Sequence, residues 1–87
     1  MAEQPTSLLA EVLADRRVLV REIHGGKDFV SRMTALGFTE GVAVQVIHNH
    51  GRGPLIALVR GTRVALGRGE ALKVLVEEVS HDQKSRQ

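Results

Sequence analysis

Residues 51–71 read GRGPLIALVRGTRVALGRGEA, with Arg-Gly pairs at 52–53, 60–61 and 68–69. Such pairs occur in disordered basic segments that bind nucleic acid, and also at the corners of folded sheets. The residues between them decide. Leu55, Ala57 and Val59 alternate with Ile56, Leu58 and Arg60, and Val64 and Leu66 continue the apolar face beyond the break. Period-two alternation is the mark of strands, and a disordered segment has no cause to show it. Gly61-Thr62 is a glycine-first step of the kind that closes a tight hairpin. The Arg-Gly pairs are therefore corners of a sheet.

The same alternation extends outward. Val42, Val44 and Val46 oppose Ala43, Gln45 and Ile47, and Gly51 to Pro54 turn this strand into the next. Further upstream, Val18 and Val20 share one face, with Leu19 and Arg21 opposite, until Gly25-Gly26 break the strand. Residues 27–36, KDFVSRMTAL, change period: Phe29, Met33 and Leu36 stand at i, i+4 and i+7, the stripe of a helix. Gly37 is placed to end that helix in a left-handed conformation, and Phe38 to fold back on the stripe. Ser7 is placed to cap a short helix through Leu8, Leu9, Val12 and Leu13. Downstream, Glu70 to Leu72 predict one helical turn, and Val74 and Val76 a last strand. The expected fold is mainly β: a small five-stranded antiparallel barrel with one inserted helix and a short N-terminal helix. It occupies residues 7–79, between polar ends expected to be flexible, 1–6 and 80–87.

Composition bounds the function. With 87 residues there is room for one small domain, and 43% apolar and 25% charged residues are ordinary globular values. There is no cysteine, which excludes disulfides and thiolate metal ligands. The first fifteen residues hold Glu3, Glu11 and Asp15 but no Lys or Arg, unlike a signal peptide. No apolar run approaches the roughly 20 residues that span a bilayer. A soluble, cytoplasmic protein is expected. Residues 16–73 carry ten Lys/Arg against four Asp/Glu, so a basic body underlies the net charge of +2. That favours an anionic partner.

Catalytic signatures are missing. Gly25-Gly26-Lys27 lacks the upstream glycine and the following Ser/Thr of a phosphate-binding loop. Gly51-Arg52-Gly53 and Gly67-Arg68-Gly69 lack the third glycine of a dinucleotide fingerprint. No triad or carboxylate dyad is recognisable, and no catalysis is expected. His48 and His50 form the one plausible metal pair, since two residues apart on a strand both imidazoles point the same way. Two ligands are too few for a tight site, so no cofactor is expected beyond weak transition-metal binding, with His24 joining only if the fold brings it near. Arg52, Arg60, Arg63 and Arg68 could contact phosphates. Phe29 and Phe38 are the sole aromatics and both are assigned to the core, leaving no stacking platform for bases or for a proline-rich peptide. That absence disfavours nucleic acid, which stays the rival reading as a basic small barrel in nucleic-acid binding or metal-responsive regulation; a small metal-binding protein using His48 and His50 is the third.

The order and spacing of RMTALGFTEG (32–41), VAVQVI (42–47) and GPLIALVRGTRVALGRGEALKVLV (53–76) resemble the ferrous iron transport protein A family, FeoA. The resemblance covers about residues 8–79. It implies an SH3-like barrel, a cytosolic location, no catalysis, and a role assisting FeoB, the membrane GTPase that imports ferrous iron. Three departures stand out: Ala14-Asp15 where the family has Pro-Gly, Leu66-Gly67-Arg68 where it has Leu-Arg-Arg, and the apolar pair Ile56 and Leu58 on a normally polar outer face. That outer face is the expected partner surface, formed by Leu19, Ile47, Ile56 and Leu58 with Arg60 and Arg63 guiding approach. The alternative is that the segment holding Leu8, Leu9, Val12 and Leu13 covers it. A homodimer is a further expectation, and membrane contact only through the GTPase.

Overall fold

Strand β1 spans Thr6–Leu8 and runs into a single 3-10 turn, Leu9–Glu11, in the computed structural model, which describes residues 6–79. β2 (Arg17–Ile23) and helix α1 (Lys27–Ala35) follow, then the meander β3 (Ala43–His48), β4 (Leu55–Val59) and β5 (Thr62–Leu66). A one-turn helix, α2 (Arg68–Ala71), leads to the returning strand β6 (Val74–Glu78). All six strands pair antiparallel in the order β1-β6-β2-β3-β4-β5.

The inward residues of the alternating pattern make the core. Val18, Val20, Val44, Val46, Val59, Val64, Leu66, Val74 and Val76 are all buried. Each such side chain is worth about 1.5–3 kcal/mol of burial, and the strands that carry them cannot slip by one residue without turning that set to solvent. Helix α1 ends as its sequence predicts. Gly37, at φ +106°, donates its N–H to Thr34 O, and Phe38 donates to Met33 O, each at 3.0 Å. This reciprocal pair satisfies the last helical carbonyls. It also drives Phe38 back beside Met33, and both are fully buried.

Four local expectations are corrected. The N-terminal helix is a strand and a 3-10 turn: Leu8 pairs with Leu75, while Leu9, Ala10 and Val12 enter the core and Leu13 stays 63% exposed. A helical stripe would have buried Leu13 too; pairing instead covers the β6 edge, which would otherwise stand open. The β4–β5 hairpin turns at Arg60-Gly61 rather than Gly61-Thr62, because Val59 pairs with Thr62. Both turn residues have positive φ, +53° and +78°, as the turn that matches strand twist requires. The single helical turn begins at Arg68 instead of Glu70, with the Glu70 carboxylate accepting the Gly67 N–H at 2.9 Å. A bulge between Val46 and His48 sets Ile47 outside the ladder, so that His48 faces Ile56. Of the ends expected to be flexible, residues 1–5 and 80–87 lie outside the described residues, and Thr6 pairs with Glu77.

Candidate functional site

Cross-strand register, invisible in the sequence, arranges the outer face of β2 to β5. Arg17 pairs with Gln45, Gln45 with Leu58, and Leu58 with Arg63. Residues directly opposite one another share a face, so these four form one row across four strands. Their chain neighbours Val18, Val44, Val59 and Val64 point into the core, which fixes the row as outward. Beside it runs a second row, His48–Ile56–Ala65. Leu58 and Ile56 are half-buried, as is Gln45, while Arg17 and Arg63 are exposed. Arg60 sits in the turn just beyond Leu58. A shallow depression of about 270 Å³ is lined by Arg17, Gln45, Leu58, Arg60 and Gly61 among others.

The expected partner residues are thus only partly assembled. Leu58, Ile56, Arg60 and Arg63 are neighbours. Leu19 faces outward two strands away, between Ala43 and Glu77, and Ile47 is displaced by its bulge. The N-terminal segment plugs the core with Leu9, Ala10 and Val12. Arg17 and Gln45 escaped the sequence reading, since nothing local announces which residue lies opposite Leu58.

The arginines fall into three groups. Arg16 meets Glu78 at 3.7 Å, Arg21 meets Glu77 at 3.0 Å and Arg32 meets Glu70 at 2.9 Å. Arg68, read from sequence as a phosphate contact, is turned inward instead. Its guanidinium donates to Gly53 O, Ala10 O and Asn49 Oδ1. Asn49 in turn donates to Ala10 O at 3.0 Å and Val12 O at 2.7 Å, and accepts the Gly51 N–H. Asn49 and Arg68 therefore moor the 3-10 segment to the hairpin end. Arg17, Arg52, Arg60 and Arg63 make no ion pair among the described residues.

His48 and His50 are exposed, and their rings meet edge to face with centroids 4.1 Å apart. His24 instead lies 3.0 Å from Glu22. Among the described residues no three His, Cys, Asp or Glu side chains gather as a metal site would need. Both aromatic rings are engaged: Phe38 is buried, and half-buried Phe29 carries Arg32 and Lys73 over its ring at 5.4 and 4.9 Å. No helix among the described residues is long and apolar enough to cross a membrane.

The sequence profile of the FeoA domain matches residues 8–78, nearly the whole barrel. The chain belongs to the FeoA family. It is 33% identical over 73 residues, 84% of this chain and 88% of the other, to a Methanocaldococcus jannaschii protein bearing the name Fe(2+) transport protein A. Among solved structures it resembles the iron uptake regulatory protein FeoA at 32% identity and a TM-score of 0.82, over 86% of this chain and 100% of that one. A zinc complex of Stenotrophomonas maltophilia FeoA, described as a prokaryotic SH3-domain protein, aligns at 29% identity and a TM-score of 0.73, over 82% of this chain and 89% of that one. The mainly β, SH3-like fold of this FeoA-family chain is thereby shared with its relatives.

Proposed function

We propose that this FeoA-family protein is a non-catalytic cytoplasmic accessory factor of ferrous iron uptake, acting by binding the cytoplasmic part of a FeoB-type membrane GTPase and altering its activity. Family membership supports the pathway: the M. jannaschii relative is named for Fe(2+) transport, and the S. maltophilia protein is described as a candidate activating factor of ferrous iron transport. The observation that carries the binding role is the outer face itself, where half-buried Leu58, with Ile56 in the adjacent row, lies beside arginines that the fold leaves without carboxylates among the described residues. Interfaces use such apolar anchors for affinity and nearby charge for approach.

The direct test mixes the purified full chain with the purified cytoplasmic domain of a FeoB-type GTPase from the same organism, and reads both complex formation and GTP hydrolysis. Saturable binding with a changed hydrolysis rate is expected. Absence of both, with tight duplex DNA binding instead, would replace this reading by the nucleic-acid one.

A further inference from the structure

We propose that the outer face of β2 to β5, centred on Leu58 and bounded by Arg17 on one side and Arg60 and Arg63 on the other, docks an acidic segment of the partner protein carrying an apolar anchor. This deepens the reading above and rests on it. Three observations single out this face. Its charges are of one sign and are unanswered: Arg17, Arg60 and Arg63 have no ion pair among the described residues, whereas Glu77 and Glu78 on the nearby strand are taken by Arg21 and Arg16. Asp15 is the acid that borders the row, sharing a depression with Arg17 and Gln45, yet it forms no ion pair with Arg17. The middle of the row is neutral. Gln45 and Leu58 separate Arg17 from Arg63 by three strand spacings, about 14 Å at the usual interval. A segment with carboxylates at both ends and an apolar side chain between them matches that order.

The same observations disfavour other occupants. A nucleic-acid strand needs charge along its track and rings to stack on, and this row offers a neutral centre with no Phe, Tyr or Trp. A bilayer needs large exposed apolar side chains to insert. Leu13, Leu36 and Leu72, the large exposed ones among the described residues, all lie away from this face. A second copy of the chain would bring arginines against arginines.

The experiment is an NMR titration of the isotope-labelled full chain with the GTPase cytoplasmic domain, with phosphatidylglycerol vesicles and with a DNA duplex as parallel probes. It uses wild type, Leu58→Ser, the pair Arg17→Glu with Arg63→Glu, and Arg52→Glu as a charge change outside the row. The wild-type amide spectrum of each variant confirms folding, and Leu58 is replaced on a solvent-facing row, so the barrel should persist. Expected are shifts of Arg17, Gln45, Leu58, Arg60 and Arg63 on adding the domain. Affinity should fall about 10-fold or more for Leu58→Ser and for the arginine pair, with little change for Arg52→Glu. Binding of the domain with shifts elsewhere and unaffected variants overturns the surface and leaves the function standing. No binding of the domain overturns both, whether or not vesicles or DNA bind through the arginines. Concentration-dependent shifts of the row in the protein alone would assign it to a second copy and overturn the proposal.

Discussion

Arg60 occupies a backbone conformation, φ +53°, that costs a residue with a side chain about 1–2 kcal/mol. Asparagine is the residue that two-residue hairpins favour there, followed by glycine as here at Gly61. The arginine stem packs over Gly37, its Cδ 3.4 Å from where a Cβ would stand, which is ordinary contact distance. Gly37 is needed for the positive φ that ends α1, and the Arg60 stem lies across it. Unusual backbone held at a surface charge suggests that the side chain is wanted there. Arg60→Asn is expected to raise unfolding stability by about 0.5–1 kcal/mol in urea titration while weakening partner binding. A loss of stability would show that packing of the arginine stem on Gly37 outweighs the turn.

At the scale of elements, the 3-10 segment stays in place through side chains distant in sequence. Asn49 gives both amide hydrogens to Ala10 O and Val12 O, and Arg68 adds a bond to Ala10 O. Asn49→Ala takes the side-chain donor from Val12 O, leaves Ala10 O to Arg68 alone and removes the acceptor of one Arg68 N–H, all in a half-buried setting, a loss of about 1–3 kcal/mol. Thermal unfolding should show it plainly, whereas Arg52→Ala, in the exposed turn nearby, should be close to neutral. No part of this mooring was legible in the sequence, because a side chain bonding to backbone 37 and 39 residues away leaves no local pattern. The strands from β2 onward and α1 were legible, since alternation and the Phe29–Met33–Leu36 stripe are local consequences of burial. β1 was not. Three residues are too few to show a period, and Leu8, Leu9, Val12 and Leu13 fit a helical face equally well. The candidate site divides the same way: Leu58 and Ile56 could be placed on the outer face from alternation alone. Which arginines stand opposite depends on register, and the bulge at Ile47 shifts that register beyond Val46.

For the whole molecule, the question is what a single barrel can do with a metal ion. A tetrahedral site takes four ligands, and imidazole suits Zn²⁺ and the later divalent metals. One chain offers His48 and His50 in contact, with no third ligand gathered beside them among the described residues. His24 is paired with Glu22, and among the described residues no three-residue cluster includes it. With half a site per chain among the described residues, completing the coordination shell from those residues takes two chains, so that occupancy would rise with protein concentration as well as with metal. Calorimetry on dilute protein should therefore show no one-to-one site of micromolar or tighter affinity for Fe²⁺ or Zn²⁺. Sedimentation at high protein concentration should show any Zn²⁺-induced association vanish when His48→Ala and His50→Ala are combined. Partner binding through Leu58 should be indifferent to the same double change, because His48 lies in the neighbouring row and His50 beyond the end of β3. A tight one-to-one site in a chain that sediments as a monomer would show that ligands outside the described residues complete the shell, and would make metal binding a property of the single chain.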